Sequence, residues 1–340
     1  MKSVYLYPQS SLKTELRSDT LWGLIIVALS YLYDDDEVQR IVDSFKDGDP
    51  LFNLTSAMFF QEIDGRTKHF FPMPVSEPID SNFIADENKD QLKKFKKISL
   101  VEKSIFEKMI NGEINLLDYF HIWLTEEEKK KEEERNQEEK RKKDSEIGER
   151  KKIFRNESIL KTHIDRINNS TKKENNKGQL HYSHEKFIND GGLFFLINGG
   201  TEKLEGALRF LEHFGFGGNR STGKGFFKIE IKDFSINIPD DPTHHVNLSL
   251  YSPSKKELDS FSEHKDKICY DLTMRGGIAS QTSQYHKNSV ICFSEGSVFP
   301  FTKAKSIGRL HKVHSNKDIY FNGISYMIPA KIKEPIYAAH

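Results

Sequence analysis

A glycine-rich stretch is the part of this chain whose residue types could bind a ligand. Residues 215–225 read Gly-Phe-Gly-Gly-Asn-Arg-Ser-Thr-Gly-Lys-Gly, with five glycines and two cations. Glycine permits positive φ and carries no Cβ, so successive backbone N–H groups can approach an anion, while arginine and lysine add charge-assisted hydrogen bonds to phosphate. The stretch predicts a phosphate-binding loop, although a glycine-rich connection without a ligand is the alternative. Its candidate residues are Gly217, Gly218, Asn219, Arg220, Ser221, Thr222, Gly223, Lys224 and Gly225.

A nucleotide-hydrolysing P-loop is the obvious competing interpretation, because Gly218 to Lys224 spells Gly-x-x-x-x-Gly-Lys. Two features argue against it. Position 225 is glycine where magnesium binding requires serine or threonine, and the stretch follows a predicted helix and precedes a predicted strand, the reverse of the P-loop context. A weak likeness to an RNP1 motif at Lys224-Gly225-Phe226 is broken by the two residues that follow.

The elements around the loop alternate between helix and strand. Residues 202–214 place leucines near helical spacing before the loop, and 226–231 follow it as a strand. The continuous apolar run 193–197 suits a central strand, and the chain begins with a strand at 2–8 and a mostly apolar helix at 21–29. A hairpin is predicted in the segment 56–71, with its turn at Asp64-Gly65.

The order strand, helix, hairpin, helix, strand is that of a ferredoxin-like split βαβ domain. A second, weaker copy of the same order follows in residues 246–293. We therefore predict an α+β protein with two ferredoxin-like (RRM-like) domains. The first spans residues 1–240 and carries the glycine-rich loop, and the second, smaller one spans 241–340.

A charged segment interrupts the first domain at about 125–152. Between Glu126 and Lys152 it holds 11 acidic and 11 basic residues and almost no apolar ones. Blocks of opposite charge favour i,i+4 pairs on a solvated helix, so we expect a charged helical insertion or a mobile one, with no functional role.

Composition limits the remaining possibilities. The chain has 340 residues, 36% of them hydrophobic, and 51 Lys+Arg balance 51 Asp+Glu, which excludes wholesale disorder and a histone-like binder. The balance conceals a basic region, because residues 264–334 hold 11 Lys+Arg against five acids. Two cysteines exclude a disulfide framework, and the apolar run 21–32 is too short for a membrane span. We expect a cytoplasmic protein without membrane contact, bound metal or cofactor.

Further fragments, in order along the chain, resemble a known family. They are Leu16-Arg17-Ser18-Asp19-Thr20-Leu21-Trp22-Gly23, Phe71-Pro72-Met73-Pro74, the lysine-containing segment 94–98, His163-Ile164-Asp165-Arg166, Gly192-Leu193-Phe194-Phe195-Leu196, Leu248-Ser249-Leu250-Tyr251, Arg275-Gly276-Gly277 and Glu295-Gly296-Ser297-Val298-Phe299. Together with the loop they resemble the RAMP superfamily of CRISPR proteins, in particular the branch formed by the fourth Csm subunit of type III-A effector complexes. The charged segment has no counterpart in this resemblance.

The resemblance implies a pair of ferredoxin-like domains and a non-catalytic role in antiviral defence. Such a subunit would hold the 5′ repeat-derived tag of the CRISPR RNA (crRNA). It would cap the backbone filament of the Csm complex, and its protein partners would be the large polymerase-like Csm subunit and a neighbouring RAMP backbone subunit.

Six residues outside the loop are further candidates for RNA contact. Ser18 and Thr20 either cap the first helix or help its free N–H groups to hold phosphate, and Arg17 is expected to be exposed beside them. His163 and Arg166 either contact RNA or form a local hydrogen-bonded set with Asp165. For Arg275 a base, a phosphate and a neighbouring carboxylate are all open.

The alternative function is a RAMP-type endoribonuclease that cleaves CRISPR repeats with a histidine as general base. No motif in the sequence pairs a histidine with a second catalytic group. We therefore expect binding without catalysis.

Overall fold

A computed structural model describes most of the chain. The described residues are 1–141, 154–162, 164–171, 173–174, 177–178, 180–200, 202–263, 267–279, 285–304 and 306–333. The helices are α1 (Ser18–Leu32), α2 (Asp35–Lys46), α3 (Lys89–Phe95), α4 (Lys103–Ile110), α5 (Leu116–Arg141), α6 (Glu202–Phe214) and α7 (Lys255–Glu263). The strands are β1 (Lys2–Pro8), β2 (Phe52–Leu54), β3 (Met58–Ile63), β4 (Arg66–Pro72), β5 (Leu100–Glu102), β6 (Phe154–Thr162), β7 (Ile164–Asp165), β8 (Ser170–Thr171), β9 (Lys173–Glu174), β10 (Lys177–Gly178), β11 (Leu180–Ile188), β12 (Gly191–Gly199), β13 (Phe227–Asp233), β14 (His244–Asn247), β15 (Leu272–Ile278), β16 (His286–Phe293), β17 (Val298–Pro300), β18 (Leu310–Lys312), β19 (Tyr320–Asn322) and β20 (Met327–Ala330).

A seven-stranded sheet organises the N-terminal part. Its order is β13-β1-β12-β3-β4-β5, with β2 also paired to β12, and its pairings are antiparallel. Helix α1 follows β1, and helix α6 lies between β12 and β13, as the local patterns predicted. Helices α2 to α5 and strands β2 to β11 lie between these two units, so the element order is longer than the predicted ferredoxin-like one. The apolar run 193–197 lies in β12, between β1 and β3, which explains why it shows no alternation.

The two faces of this sheet are buried against different layers. Alternate residues of β1 and β12, such as Leu6 and Phe195, pack with α1, α2 and α6. Their neighbours Tyr5 and Phe194 face the other layer, made by helices α3 to α5 and the C-terminal strands β14 and β20. This two-sided burial follows from the period of two in a strand.

The C-terminal part differs from the expected second ferredoxin-like domain. Its described strands form a three-stranded sheet, β17-β14-β20, and two separate hairpins, β15–β16 and β18–β19. The predicted strand 246–251 ends early, at Asn247, because the side chain of Asn247 bonds to the backbone of Ser249 and turns the chain. The strands themselves occur near the predicted positions, but they do not join into one four-stranded sheet.

The predicted charged insertion begins as a helix. Helix α5 extends to Arg141, and its first turns carry the buried residues Tyr119, Phe120 and Leu124. Residues 142–152, the rest of that segment, lie outside the described residues. Across the described helices, none combines the length and the apolar content that a membrane crossing needs.

Candidate nucleic-acid interface

The glycine-rich loop connects α6 to β13, as predicted, and its backbone repeatedly enters the left-handed region. Gly215, Gly217, Asn219, Gly223 and Gly225 all have positive φ, between 61° and 83°. The requirement for glycine is strictest at Gly225, where a Cβ would lie 1.9 Å from the carbonyl oxygen of Phe216. The loop conformation therefore depends on glycine for steric reasons as well as for φ.

Several N–H groups that the sequence assigned to phosphate instead hold the loop in place. The N–H of Gly225 donates to Ser11 O (2.9 Å), and that of Gly223 donates to Arg220 O (2.9 Å). The N–H of Gly218 donates to Thr14 Oγ1 (3.1 Å). The segment between β1 and α1 thus holds the loop at Gly218 and Gly225, and the three N–H groups named here are already occupied within the protein.

Arg220 is the cation of the loop that remains available to a ligand. Its guanidinium carbon lies 4.0 Å from the centre of the Phe214 ring, a cation–π contact. Its Nη1 is buried and has no hydrogen-bond partner within the described residues. Burial lowers the pKa of Arg220, but an arginine stays charged. A half-buried guanidinium without an acidic partner within the described residues favours binding of an anion.

Lys224, the other cation of the loop, is already paired. Its Nζ lies 2.6 Å from Oε2 of Glu185, whose side chain is 1% exposed. Asn219 before Arg220 is exposed, as are Ser221, Thr222 and Gly223 between the two cations.

Ser18 has neither of the two roles expected for it. The residue at the N-cap position of α1 is Arg17, without a side-chain cap. Ser18 is buried, its Oγ accepts from the N–H of Leu250 (2.9 Å), and its own N–H donates to Oγ of Ser56 (2.9 Å). The start of α1 is therefore used to join the N-terminal part to the C-terminal part.

Arg17 was expected to be exposed, but its side chain is only 20% exposed. It forms an ion pair with Glu295 through Nε (3.1 Å) and Nη2, and its Nη1 donates to Oγ1 of Thr273 (3.2 Å). The carboxylate of Glu295 also accepts from the hydroxyl of Ser56. The Arg17 guanidinium thus links the start of α1 to Thr273 on β15 and to Glu295.

Of the three partners left open for Arg275, the structure shows a neighbouring carboxylate, that of Asp19. Nε and Nη2 of Arg275 donate to the two oxygens of Asp19 (3.2 and 3.0 Å), and Nη2 also lies 3.2 Å from Oγ1 of Thr20. Asp19 is 5% exposed and Arg275 is 22% exposed at the side chain. The bidentate pair fixes Arg275 in orientation without burying it completely.

A groove of about 1270 Å³ brings many of the candidate residues together. One wall is the glycine-rich loop, the floor includes α1, and the opposite wall comes from the hairpins β15–β16 and β18–β19. The predicted residues that line it are Thr20, Gly217, Gly218, Asn219, Arg220, Ser221 and Arg275. Because these residues come from three distant parts of the chain, we call this cleft the loop groove.

Sequence reasoning did not single out the other polar and aromatic residues of the loop groove. They include Tyr285, Lys287, Lys317 and Tyr320. The basic surplus of residues 264–334 was the available signal, but it could not distinguish residues on this wall from those elsewhere on the surface.

The remaining candidates lie elsewhere. Arg166 is exposed in the turn between β7 and β8, away from the groove lining, and Asp165 accepts from the backbone N–H of Ile167 (2.9 Å) in that turn. His163 lies outside the described residues, so its role stays a prediction.

Comparison with known families assigns the chain to a class. Residues 9–228 match the model of the RAMP superfamily, which covers more than half of the sequence. The chain belongs to the RAMP superfamily. Residues 240–330 match the model of the CRISPR Csm4 C-terminal domain. The resemblance to the fourth Csm subunit is confirmed by these two matches.

Relatives and solved structures agree with this assignment. The chain is 22% identical to the CRISPR system Cms protein Csm4 of Methanocaldococcus jannaschii, covering 83% of this chain and 78% of the relative. It is 25% identical to the protein of the same name from Thermococcus onnurineus, over 74% and 75% of the two chains.

Two solved complexes contain chains with a similar fold. One, from a Csm3–Csm4 subcomplex of a type III-A CRISPR-Cas interference complex, has a TM-score of 0.60, 19% identity and 97% and 100% coverage. The other, from a Csm1–Csm4 cassette in complex with cA4, has a TM-score of 0.59, 16% identity and 98% and 99% coverage.

Proposed function

We propose that this chain is a non-catalytic RNA-binding subunit of a type III-A Csm complex and that its loop groove holds the 5′ tag of the crRNA. The observation that carries the proposal is Arg220, a half-buried cation that lines the wall of that groove and has no acidic partner within the described residues. Phosphate supplies the negative charge and the acceptor oxygens that this group lacks.

The charges of the groove favour a nucleic acid over a neutral ligand. Its described lining includes four cations, Arg220, Arg275, Lys287 and Lys317. The acidic residues of the same lining are Asp19, which is paired with Arg275, and Asp318, which lies 2.9 Å from Lys312. Because Arg275 and Asp19 neutralise each other and Asp318 pairs with Lys312, the positive charge left for an entering anion is that of Arg220, Lys287 and Lys317.

The aromatic residues of the groove favour a single-stranded nucleic acid. The rings of Tyr285 and Tyr320 line the groove beside cations, with Lys317 over Tyr285 (5.7 Å) and Lys46 over Tyr320 (5.1 Å). A charged groove with aromatic side chains is the arrangement that binds unpaired nucleotides, since bases stack on the rings and phosphates meet the cations.

The protein partners follow from the family assignment. We propose that the chain contacts the large polymerase-like Csm subunit on one side and a RAMP backbone subunit on the other, and caps the filament. The structurally similar chains found in a Csm1–Csm4 cassette and in a Csm3–Csm4 subcomplex support this placement. The choice of the 5′ tag as the bound segment rests on the resemblance to the fourth Csm subunit.

Arg220→Ala tests the RNA-binding role of the groove. The affinity of the full-length protein for a labelled single-stranded RNA of about eight nucleotides would be measured by fluorescence anisotropy over a series of salt concentrations. We expect weaker binding and a slope of log K against log salt that is shallower by about 0.7, the loss of one phosphate contact. Arg209→Ala is the matched control, because Arg209 is exposed on α6 outside the groove lining. An unchanged slope for Arg220→Ala would refute the proposed site.

A further inference from the structure

Glu185 is a buried carboxylate at the meeting point of three segments. It lies on β11, in the long hairpin that β11 forms with β6. Its Oε1 accepts from Nζ of Lys161 on β6 (2.7 Å), and its Oε2 accepts from Nζ of Lys224 in the glycine-rich loop (2.6 Å) and from Oγ of Ser11 after β1 (2.7 Å). One carboxylate therefore ties the hairpin, the loop and the β1–α1 segment together.

The charge balance keeps Glu185 ionised. Burial by itself raises the pKa of this carboxyl, but the hydrogen bonds from Lys161, Lys224 and Ser11 outweigh burial and lower the pKa to about 2. A buried carboxylate of this kind is stable only while its cationic partners stay in place.

The backbone strengthens the same junction. Leu12 and Lys186 exchange two hydrogen bonds, each of 2.9 Å, so the segment after β1 is pinned to the hairpin. The same segment accepts from the loop, through Ser11 O to Gly225 N–H (2.9 Å) and through Ser10 Oγ to Phe226 N–H (2.9 Å). The segment after β1 therefore lies between hairpin and loop, and Glu185 with Lys224 spans the junction beside it.

Lys224 faces this junction rather than the loop groove. It does not occur among the described residues that line the groove, whereas Arg220, four positions earlier, does. Its side chain is 19% exposed and its ammonium group is held by Glu185.

We propose that Glu185 is a positioning residue of the RNA-binding site. Through Lys224 it fixes the glycine-rich loop against the β6–β11 hairpin and so holds Arg220 at the groove. Lys224 accordingly contributes to RNA binding through Glu185 and makes no phosphate contact of its own. This inference rests on the proposed RNA-binding function of the groove.

A double-mutant cycle of Glu185→Gln and Lys224→Met separates positioning from direct contact. Both substitutions keep approximate side-chain size and remove charge. We expect each single variant to lower the affinity for the same RNA by about 3- to 10-fold, and the double variant to bind about as well as either single one, because both remove the same link. The salt slope should stay at the unsubstituted value in all three.

Two further variants sharpen the cycle. Lys224→Arg keeps the charge and should restore affinity to within about 2-fold. Lys228→Met is the matched control, because Lys228 is exposed on β13 and lies 3.9 Å from its nearest acidic partner, Glu230. A slope lowered by about 0.7 in Lys224→Met, with normal binding by Glu185→Gln, would show that Lys224 contacts phosphate and would overturn the proposal.

Amide hydrogen exchange provides a readout that needs no RNA. In the free protein, Glu185→Gln and Lys224→Met should each speed exchange at Gly218 and Gly225 by about 10-fold, because the loop loses its tether. Unchanged exchange in both variants would overturn the positioning role whatever the RNA does. Faster exchange combined with an unaltered salt slope in Arg220→Ala would instead refute the proposed function and leave the tether intact.

Discussion

Asp19, in the first turn of α1, accepts two hydrogen bonds from the guanidinium of Arg275 on β15. Two residues earlier, Arg17 makes the reverse pair with Glu295. The turn that begins α1 therefore presents one positive and one negative group to the C-terminal part, and each meets its opposite. A shifted docking of the two parts would bring like charges together.

Asp19→Asn should destabilise the protein by about 2 kcal/mol, because it leaves Arg275 partly buried without its carboxylate. Urea unfolding followed by circular dichroism would measure the change. Asp43→Asn is the control, since Asp43 pairs with Lys46 at the surface and its loss should leave the free energy of unfolding nearly unchanged. Equal effects of the two substitutions would contradict the structural role of the Asp19 pair.

Arg17→Met and Arg220→Ala should affect different properties. Arg17→Met removes the partner of Glu295 and should lower the free energy of unfolding by about 2 kcal/mol while leaving the salt slope of RNA binding unchanged. Arg220→Ala should change the slope and leave stability within about 1 kcal/mol. Anisotropy titrations and urea unfolding on both variants measure this, and a lower slope for Arg17→Met would show that Arg17 contacts RNA.

Alanine substitutions at three glycines of the loop should destabilise the protein to different extents, according to the φ angle and the space around the new Cβ. Gly225→Ala should cost about 3 kcal/mol or more, because its Cβ would overlap Phe216 O. Gly223→Ala should cost about 1 kcal/mol, since its φ of 80° is unfavourable but the space around it is open. At Gly218, where φ is not positive and the nearest atom would be 3.3 Å away, alanine should be tolerated. Thermal and urea unfolding give the ranking, and an equal response at 225 and 218 would exclude this backbone geometry.

Stability should fall as the solution is acidified below neutrality. Burial, with a smaller effect of Lys103, lowers the pKa of His69 from 6.5 to about 4, and burial with Arg309 does the same for His311. Between pH 6.5 and about 4, both histidines are protonated in the unfolded chain but stay neutral in the folded protein. The free energy of unfolding should therefore decrease toward acid by up to about 1.4 kcal/mol per pH unit for each histidine.

Urea unfolding between pH 6.5 and about 5 measures this slope. The double variant His69→Gln/His311→Gln should have a flatter pH dependence. A slope identical to that of the unsubstituted protein would mean that other groups account for it.

The proposed non-catalytic role predicts that the purified protein binds single-stranded RNA without cleaving it, with or without magnesium or manganese. His213 is the histidine of the groove lining, so cleavage that disappears in His213→Ala would favour the endoribonuclease alternative. Denaturing gels of the RNA after incubation provide the measurement.

The sequence predicted correctly those elements that depend on residues close together in the chain. The apolar residues of α1, the central strand β12 and the Asp64-Gly65 turn, both of whose residues have positive φ, lie where the pattern indicated. The loop between α6 and β13 was found from its glycines. These signals depend on neighbours within a few positions of one another.

The partners of the site residues could not be found in this way. Ser18 bonds to Leu250 and Arg17 to Glu295, more than 200 positions away. From its local sequence, Arg17 is expected to be an exposed RNA contact. Its ion pair with Glu295 becomes visible only when the C-terminal part packs against the start of α1. The second sheet was mispredicted in arrangement for the same reason, since strand order depends on distant pairings.

The hydrogen bond between Ser18 Oγ and the N–H of Leu250 has a consequence for how the chain can be divided. Ser56 also donates its N–H to the carbonyl of Leu248 (2.9 Å), so a break near residue 240 would strip both serines of buried partners. Leu248 and Leu250 are themselves fully buried, so the separated piece would expose apolar surface as well. Produced apart, the two pieces would be aggregation-prone fragments. Produced together, they would reassociate by fragment complementation and melt in one cooperative transition.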